Sequence, residues 1–359
     1  MMMRTFRHVR FQIFPSGLGL GDKDLKNLTS NAKLVTAYRD YIRSAGKLFC
    51  GKDCSVLEAD ITEVINLESE LAKVKMPLED QRNPDKTYNV WTLKELSEKT
   101  ALNWRTELFQ PTLRLLGLPQ VAAALTDAQS VRISDVQYVL KAVELLRRAS
   151  PRTVAHLVGW RAVAGNGPRS SEQFRQLAFQ FSQVSSGVKR QSERWEMCYG
   201  QANGHLSMAV SRMYVQRHFS PAERAEAVAL VEAIQQSYRE LILHENDWLD
   251  PVTRANSLVK LNHVTKNVAY PEWLLKDEEL DELYSLTNRS FAEELLAERN
   301  YMSSLIKFSL NRDREEIENF DRPNTIEKYW PMPVTMVNAA YSGNQNSISK
   351  HLAFVGGLV

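Results

Sequence analysis

Apolar side chains recur at helical spacing along most of this 359-residue chain, and this pattern constrains the fold more than any other feature. Leu34, Tyr38, Ile42 and Ala45 fall on one face of a helix, because residues three or four positions apart share a face. The segment Ser220-Pro221-Ala222-Glu223 is a strong helix start, with a Ser cap, Pro at the first helical position and Glu at the third. The pattern predicts a mainly α protein.

Further stripes of the same kind predict further helices, and two of these begin with capping residues. Ser55 with Glu58, and Ser290 with Glu293, have the spacing of a capping box. The stripes are wide, so each is expected to pack in the core rather than to form a partner-binding groove. The stripes consist of Leu57, Ile61, Val64, Leu71 and Val74; Val136, Leu140, Val143 and Leu146; Val154, Leu157 and Val158; Val228, Val231, Ile234, Tyr238 and Leu241; and Leu295, Tyr301, Met302 and Leu305.

Two short segments, one near each end of the chain, predict β-strands. Val9, Phe11 and Ile13 alternate with polar residues, which is typical of a half-buried strand. The glycine-rich segment 17–21 that follows is expected to be a flexible loop. Near the other end, prolines block helix formation, and the Val-Thr-Met-Val run at 334–337 favours an extended strand. The predicted fold class is therefore a large multi-helix lobe with small β elements near both ends.

The charge composition gives no reason to expect a nucleic acid partner or an anionic membrane surface. The chain has 45 Lys and Arg residues against 43 Asp and Glu, a formal net charge of +2. Both of those partners attract strongly basic surfaces. No apolar run approaches the roughly 20 residues that a membrane helix needs, so no membrane segment is predicted. The segment Met1–Phe14 lacks the continuous apolar core of a signal peptide.

The histidines do not have the spacing of a helical zinc site. Such a site needs two His one turn apart on a helix, with a Glu beside the first as general base. Of the seven His, the two closest in sequence, His205 and His218, stand thirteen positions apart. After His244-Glu245, Trp248 occupies the place of the second His, so a polar helix end is the plainer interpretation. No G-x-S-x-G nucleophile motif is present. The sequence predicts neither catalytic residues nor metal ligands in this chain.

The three cysteines, Cys50, Cys54 and Cys198, give no sign of metal binding. A single C-x-x-x-C pair without a second pair is not a zinc site. Because the count is odd, at least one thiol has no partner within the chain. We expect thiols without a special role, and the sequence does not decide their pairing.

The segment from Asn338 to Asn346 is the best candidate for a binding site. An extended peptide binds to a sheet edge through main-chain hydrogen bonds. The Asn338 side chain supplies both a donor and an acceptor for a peptide group, and the small Ala339 lets two backbones approach closely. The spacing from Asn338 to Asn346 is equally typical of a polar hairpin turn. The residues alone leave both interpretations open.

A series of short motifs in a fixed order resembles the neprilysin and endothelin-converting-enzyme family of zinc metalloendopeptidases. The Val-Asn-Ala-Ala-Tyr-Ser segment at 337–342 is similar to the substrate-binding strand of that family. Together the matches span about residues 11 to 348. In chain order the other matches are Gly17-Leu18-Gly19-Leu20, Asn83-Pro84 with Tyr88-Asn89 and Thr92-Leu93, Trp160-Arg161, Arg194-Trp195 with Cys198, Met208-Ala209-Val210 with Tyr214, Trp248 with Asp250 and Thr253, Lys260, Tyr270-Pro271, Asp321-Arg322 and Trp330.

The resemblance implies a fold, a location and a substrate. Intact members have two lobes that enclose a peptide-sized cavity, and they are type II membrane or secreted endopeptidases that cut short peptides. The resemblance thus implies an extracellular or plasma-membrane ectodomain and a peptide substrate, whose backbone Asn338 and Ala339 would hydrogen-bond. The zinc of the family is held by two His of an H-E-x-x-H motif and a later Glu. No counterpart of these residues is found here, so no zinc is expected for this chain.

The resemblance also divides the chain into three parts. Residues 1–285 are expected to form the helical lobe, without the N-terminal part of the family's ectodomain. Residues 286–348 are expected to begin the catalytic lobe and to include the substrate-binding strand, which makes the two-lobe fold incomplete. Residues 349–359 depart from the family pattern, which indicates a truncated or misjoined gene model or an alternative transcript. The family partner of Cys198 lies in the missing early segment.

The sequence leaves three hypotheses of function open. In the first, the chain is a portion of a neprilysin-like zinc metalloendopeptidase and is not itself catalytic. In the second, it is a non-catalytic helical protein of that lineage that binds peptides or other partners. In the third, it is a fragment that does not fold stably alone, because helices that should pack on a missing lobe would expose apolar faces.

Overall fold

The computed structural model describes residues 11–51, 58–284, 300–318, 330, 333–336, 338–343 and 346–351, and these residues form a mainly helical fold with two small sheets. The fold class predicted from the sequence is confirmed. The chain divides into two compact units, Met1–Gln191 with Asn300–Asp321, and Ser192–Arg299 with Arg322–Val359. The division into family lobes at residues 285 and 348 stays a prediction.

The described helices and strands are as follows. The α-helices are α1 Asp22–Lys26, α2 Ala32–Cys50, α3 Glu58–Lys73, α4 Pro84–Thr87, α5 Leu93–Thr100, α6 Gln110–Leu115, α7 Pro119–Ala124, α8 Val136–Arg148, α9 Pro151–Ser170, α10 Glu172–Ser185, α11 Arg194–His205, α12 Ser207–His218, α13 Pro221–Glu240, α14 Pro251–Asn262, α15 Asp277–Tyr284 and α16 Tyr301–Glu318. The strands are β1 Phe11–Ile13, β2 Asn89–Thr92, β3 Ser130–Ile133, β4 Thr265–Ala269, β5 Ala339–Ser342 and β6 Ser347–His351. Short π-helical turns at Trp104–Phe109 and Leu241–Glu245, and 3-10 turns at Asp80–Arg82 and Glu272–Leu275, complete the list.

Local sequence signals account for the start of α2 and α13. The Asn31 side chain accepts a hydrogen bond from the Leu34 N–H at the start of α2, and the predicted apolar face of that helix is buried. Ser220 and Glu223 form the predicted capping box of α13, with Pro221 at its first position. Such caps stabilise a helix by about 1 kcal/mol. The predicted caps at Ser55 and Ser290 lie outside the described residues.

The first unit is built on a three-stranded sheet in the order β1-β3-β2. The central strand β3 pairs in parallel with β1 and antiparallel with β2. Val131 and Ile133 of β3 are fully buried against the helices, and Arg132 between them lies on the opposite face because successive side chains alternate. Helices α2, α9 and α10 pack against one another, and α3 packs against α2 and α9. This sheet confirms the predicted strand at Phe11 and Ile13.

A buried polar network lies in the core of the first unit. Glu68, which has no solvent exposure, accepts the Gly19 N–H at 2.8 Å and the Tyr38 hydroxyl at 2.7 Å. The Trp160 indole N–H donates to the same Tyr38 oxygen at 2.7 Å. A Cβ on Gly19 would lie only 1.6 Å from that hydroxyl oxygen. Gly19 is therefore a close-packed position, and the expectation of a freely flexible loop is wrong there.

Three sequence expectations about apolar segments need correction. Helix α8 buries Tyr138, Val139 and Ala142, whereas Leu146 of the predicted stripe is exposed because the buried face of the helix is rotated from it. In α13, Ile234 and Tyr238 of the predicted core stripe are 50% and 58% exposed, because the helix buries only Ala227 and Val231. The predicted strand at 334–337 is wrong at its start, where the Met336 N–H donates to the Pro333 carbonyl and closes a turn.

Candidate functional site

The candidate site is a β-hairpin in the second unit. Strand β6 lies in the middle of a sheet of order β4-β6-β5, parallel to β4 and antiparallel to β5. Tyr341 pairs with Ile348 and Ser342 pairs with Ser347 across the hairpin. Ser347 is buried, whereas Ala339 and Tyr341 of β5 are exposed. Among the described residues no strand pairs with the outer side of β5, so its outward backbone groups form an open edge.

The two residues predicted to bind a substrate backbone lie at the start of this edge strand. Asn338 directly precedes β5, Ala339 is its first residue, and both are exposed. The Ala339 N–H donates to Asn338 Oδ1 at 2.8 Å. No described residue accepts a hydrogen bond from Asn338 Nδ2, so this amide keeps its donors available. The structure thus brings Asn338 and Ala339 together at an open edge, and their role in binding stays a prediction.

The turn of the hairpin is fixed by Asn346. This residue is 8% exposed and has a φ of 48°, a left-handed conformation that Asn tolerates better than most residues. Its Oδ1 accepts the Tyr341 hydroxyl at 3.0 Å, and its Nδ2 donates to the Lys260 carbonyl at 2.8 Å. Its own carbonyl accepts the Thr265 N–H at 2.9 Å. One residue therefore joins β5, the end of α14 and the start of β4.

Sequence reasoning did not assign this role to Asn346. The strand and the hairpin turn, which were alternative interpretations of the segment, are both present. The hydrogen bond from Asn346 to Lys260 spans 86 positions and leaves no periodic pattern. The one available signal was an Asn in a polar turn, a residue type that tolerates the left-handed conformation. The Lys260 ammonium also lies 5.8 Å from the centre of the Tyr341 ring, a cation–π distance.

The described histidines take part in separate local contacts. His156 Nδ1 lies 3.7 Å from Asp60 Oδ1, His244 Nε2 lies 3.4 Å from Glu240 Oε2, and His263 Nδ1 lies 2.8 Å from the Val259 carbonyl. In the part of the chain that the structure describes, no three His, Cys, Asp or Glu side chains form a group that could hold a metal ion. The described residues therefore do not fit a zinc ion.

Asp250, from the Trp248-x-Asp250 motif, has a structural role as the cap of α14. Its carboxylate accepts the Val252 and Thr253 N–H groups, each at 2.9 Å, and the Thr253 hydroxyl. The hydrogen bond from the Thr253 hydroxyl, followed by that from the Thr253 N–H, holds the pKa of Asp250 below its usual range. Trp248 is 77% exposed. The motif therefore begins a helix.

The cysteines differ in oxidation state. The expectation of free thiols, drawn from the sequence, is wrong for Cys50. Cys198 is free and exposed, whereas Cys50 is disulfide-bonded. Cys54 lies outside the described residues. Among the residues that the structure describes, no helix is both long enough and apolar enough to cross a bilayer.

Comparison with known proteins identifies the family. The family model described as Peptidase family M13 matches residues 4–271, which is more than half of the chain. The chain belongs to peptidase family M13. Neprilysin-1 of Trittame loki is 31% identical to this M13 chain over 353 residues, 96% of this chain and 47% of that relative. Endothelin-converting enzyme 1 of Rattus norvegicus is 26% identical over 94% of this chain and 42% of its own length.

Solved structures share the fold of this M13 chain. Zinc metalloprotease Zmp1 of Mycobacterium tuberculosis, solved in complex with an inhibitor, superposes with a TM-score of 0.74 at 22% identity, over 96% of this chain and 48% of that one. PepO of Lactobacillus rhamnosis superposes with a TM-score of 0.70 at 20% identity, over 92% and 48%. The M13 chain thus spans about half the length of the relatives and structures that it matches.

Proposed function

We propose that this chain is a portion of an M13 zinc metalloendopeptidase, and that β5 binds the backbone of a peptide substrate. The observation that carries the proposal is the open edge of β5, which begins at Ala339 directly after Asn338, in a chain of a peptidase family. The peptide would lie beside β5 as a further strand. The proposal rests on membership of the family and on the exposure of this edge.

Strand addition explains why these residue types stand at this edge. Main-chain hydrogen bonds bind an extended peptide whatever its side chains are. Ala339 and Ala340 are exposed and small, so a second backbone is free to approach β5 closely. Asn338 Nδ2 would donate to a peptide carbonyl just before the strand begins. The exposed Tyr341 ring would contact a side chain of the bound peptide.

We further propose that the chain as given does not cut the peptide. Hydrolysis by a zinc peptidase needs a metal-bound water, and the described residues do not fit a zinc ion. The zinc ligands and the catalytic base of the family would then be supplied by sequence beyond these residues. By resemblance to the family we place the intact protein at the cell surface or outside the cell.

The second candidate function is non-catalytic binding of peptides by a protein of the M13 lineage. The edge strand favours it as well, because strand addition needs no metal. In-frame coding sequence for an H-E-x-x-H motif after codon 348 would decide for the peptidase, and its absence would leave the binding protein and the fragment that does not fold stably alone. A third hypothesis, that the chain does not fold stably alone, is supported by the exposed apolar residues Ile234, Tyr238 and Trp248.

The binding proposal is tested with a matched pair of fluorescent peptides. One is a short apolar peptide, and the other has the same sequence with alternate amides N-methylated, which removes the donors that strand addition requires. We expect the unmodified peptide to raise fluorescence anisotropy on titration with the chain, and the N-methylated peptide to bind at least about tenfold more weakly. Equal binding of both peptides would contradict strand addition.

Substitutions locate the binding edge. Ala339→Pro replaces the N–H that holds Asn338 Oδ1 with a ring carbon, and Asn338→Ala removes the side-chain amide, so both are expected to weaken binding of the unmodified peptide by about tenfold. A proline at the buried Ala269 would disturb β4, so Ala269→Pro does not serve as a control for Ala339→Pro. Ala229→Ser on the exposed side of α13 is the matched control, and its affinity should equal that of the wild type. Unchanged affinity in both edge variants would place the peptide elsewhere.

A further inference from the structure

A cavity of about 350 Å³ lies in the first unit. It opens where the parallel strands β1 and β3 end, since Phe14 follows β1 and Ser134 follows β3. Lys75, Leu78 and Arg132 also line it. Its volume falls within the range of small-molecule sites, about 300 to 1,000 Å³. It combines a charged base with an apolar rim.

Most charged side chains that line this cavity already form ion pairs or hydrogen bonds within the chain. Lys75, which is 8% exposed, pairs with Asp22 at 2.8 Å. Asp135, which is 4% exposed, accepts the Met76 N–H at 2.7 Å and the Tyr138 N–H at 2.9 Å. These carboxylates and this ammonium group are therefore satisfied without a ligand.

Arg132 is the exception. No hydrogen bond or ion pair joins its side chain to another described residue, and its Nε is closed off from solvent without a partner. Its guanidinium lies 5.2 Å from the centre of the Tyr88 ring, which holds the group in position. Because Nε is closed to solvent, a ligand in the cavity would contact the terminal nitrogens of the guanidinium, which present a planar fork of donors that matches a carboxylate. The cavity thus contains a fixed donor group that lacks its acceptor.

We propose that this cavity binds a small monocarboxylate that carries an apolar group. The carboxylate would accept from Arg132, and the apolar group would contact Phe14 and Leu78, which are 68% and 73% exposed. The formal charges of Lys75 and Arg132 are balanced by those of Asp22 and Asp135. Because these charges cancel, the two carboxylates would repel a monoanion that pairs with Arg132 less strongly than they would repel a phosphate dianion.

The test is calorimetric titration of the full chain with hydrocinnamate, a phenyl-bearing carboxylate, and with hydrocinnamamide, its neutral match in shape. Hydrocinnamate should bind at least about tenfold more tightly than the amide, because only the carboxylate accepts from the guanidinium. Inorganic phosphate, titrated in the same way, should bind more weakly than hydrocinnamate. Equal binding of the carboxylate and the amide, no binding of either, or tighter binding of phosphate would each overturn the proposal.

Variants assign the binding to Arg132. Arg132→Gln should weaken the binding of hydrocinnamate by about tenfold or more. Arg114→Gln, at an exposed arginine outside the cavity, should bind hydrocinnamate as tightly as the wild type does. Thermal unfolding checks that both variants fold. If Arg132→Gln does not fold, Leu78→Ser on the exposed rim replaces it, and loss of affinity there supports the proposal. Wild-type affinity in a folded Arg132→Gln or in Leu78→Ser overturns it.

Discussion

The side-chain amide of Asn346 donates a hydrogen bond to the carbonyl oxygen of Lys260 across 2.8 Å, which joins the β5–β6 turn to the end of α14. The same side chain accepts the Tyr341 hydroxyl from β5 at 3.0 Å. The edge proposed to bind a peptide is therefore held at its turn by a buried side chain, whereas its outer side is open. A fixed edge is a better template for a peptide strand than a frayed one, because less ordering is needed on binding.

Replacing Asn346 with Gly is expected to loosen the hairpin. Glycine accepts the left-handed φ, so the change removes only the two side-chain hydrogen bonds. At about 1 kcal/mol for each bond, the pairing of β5 with β6 should open roughly 30-fold more often. Amide hydrogen exchange of residues 339–342 measures this opening. Asn262→Ala, at another hydrogen-bonded Asn of the second unit, should leave the exchange unchanged, and equal rates in both variants would contradict the role of Asn346.

Replacing Gly19 with Ala is expected to destabilise the first unit. The new Cβ would lie 1.6 Å from the Tyr38 hydroxyl oxygen, and Tyr38 is 1% exposed, so the ring has no space to move into. Overpacking of this kind costs about 3 kcal/mol. Urea unfolding measures the loss. Gly17→Ala is the matched control, since the nearest atom to its Cβ would be 4.0 Å away, and a loss equal to that of Gly19→Ala would show that the clash is relieved.

The raised pKa of Glu68 should be visible in the pH dependence of the free energy of unfolding. Burial raises the pKa of Glu68 in the folded chain above the ordinary glutamate value. The folded state then binds the proton more tightly than the unfolded state does. This contribution to stability is therefore fully present below the ordinary pKa, and it is lost as the pH rises through the raised folded pKa. We expect the stability of the wild type relative to Glu68→Gln to decline over that range in urea unfolding.

Glu95 provides a control of opposite sign. The N–H and then the hydroxyl of Thr92 hold the pKa of Glu95 below its usual range. Its contribution is present above the ordinary glutamate pKa and is lost as the pH falls through the lowered value. The stability of the wild type relative to Glu95→Gln should therefore decline on acidification. The same slope in both variants would show that neither carboxyl is the source.

The sequence was sufficient for features that depend on neighbouring positions. Ser220 and Glu223 cap α13 as predicted, because a capping box involves residues three positions apart. The buried face of α2 follows from its own periodicity in the same way. The resemblance to the family likewise depended on short motifs, and the match to the M13 family model confirms it.

Features that depend on distant positions were missed. Gly19 contacts Glu68 across 49 positions, so the sequence showed a glycine-rich turn and gave no sign of close packing. Ile234 and Tyr238 continue an apolar stripe, but periodicity does not say what covers a stripe, and both are exposed. Arg132 looked like an ordinary strand residue, because its lack of a partner depends on elements that meet only in the fold.

Metal analysis and a cleavage assay test the proposal that the chain as given is not catalytic. We expect no stoichiometric zinc after dialysis and no hydrolysis of a quenched fluorogenic peptide, because the described residues offer no group of ligands for a metal ion. An intact M13 peptidase prepared in the same way is the positive control. Tightly bound zinc together with cleavage that a chelator abolishes would show that the chain is itself an enzyme.

Amide hydrogen exchange with and without the unmodified apolar peptide tests the central claim most directly. If the peptide adds to the open edge of β5, the outward-facing amides of residues 339–342 gain acceptors, and their exchange should slow when the peptide is present. Amides of α2 in the first unit should exchange at the same rate in both samples. Unchanged exchange in β5 at a peptide concentration that saturates binding, with slowing elsewhere, would contradict the account.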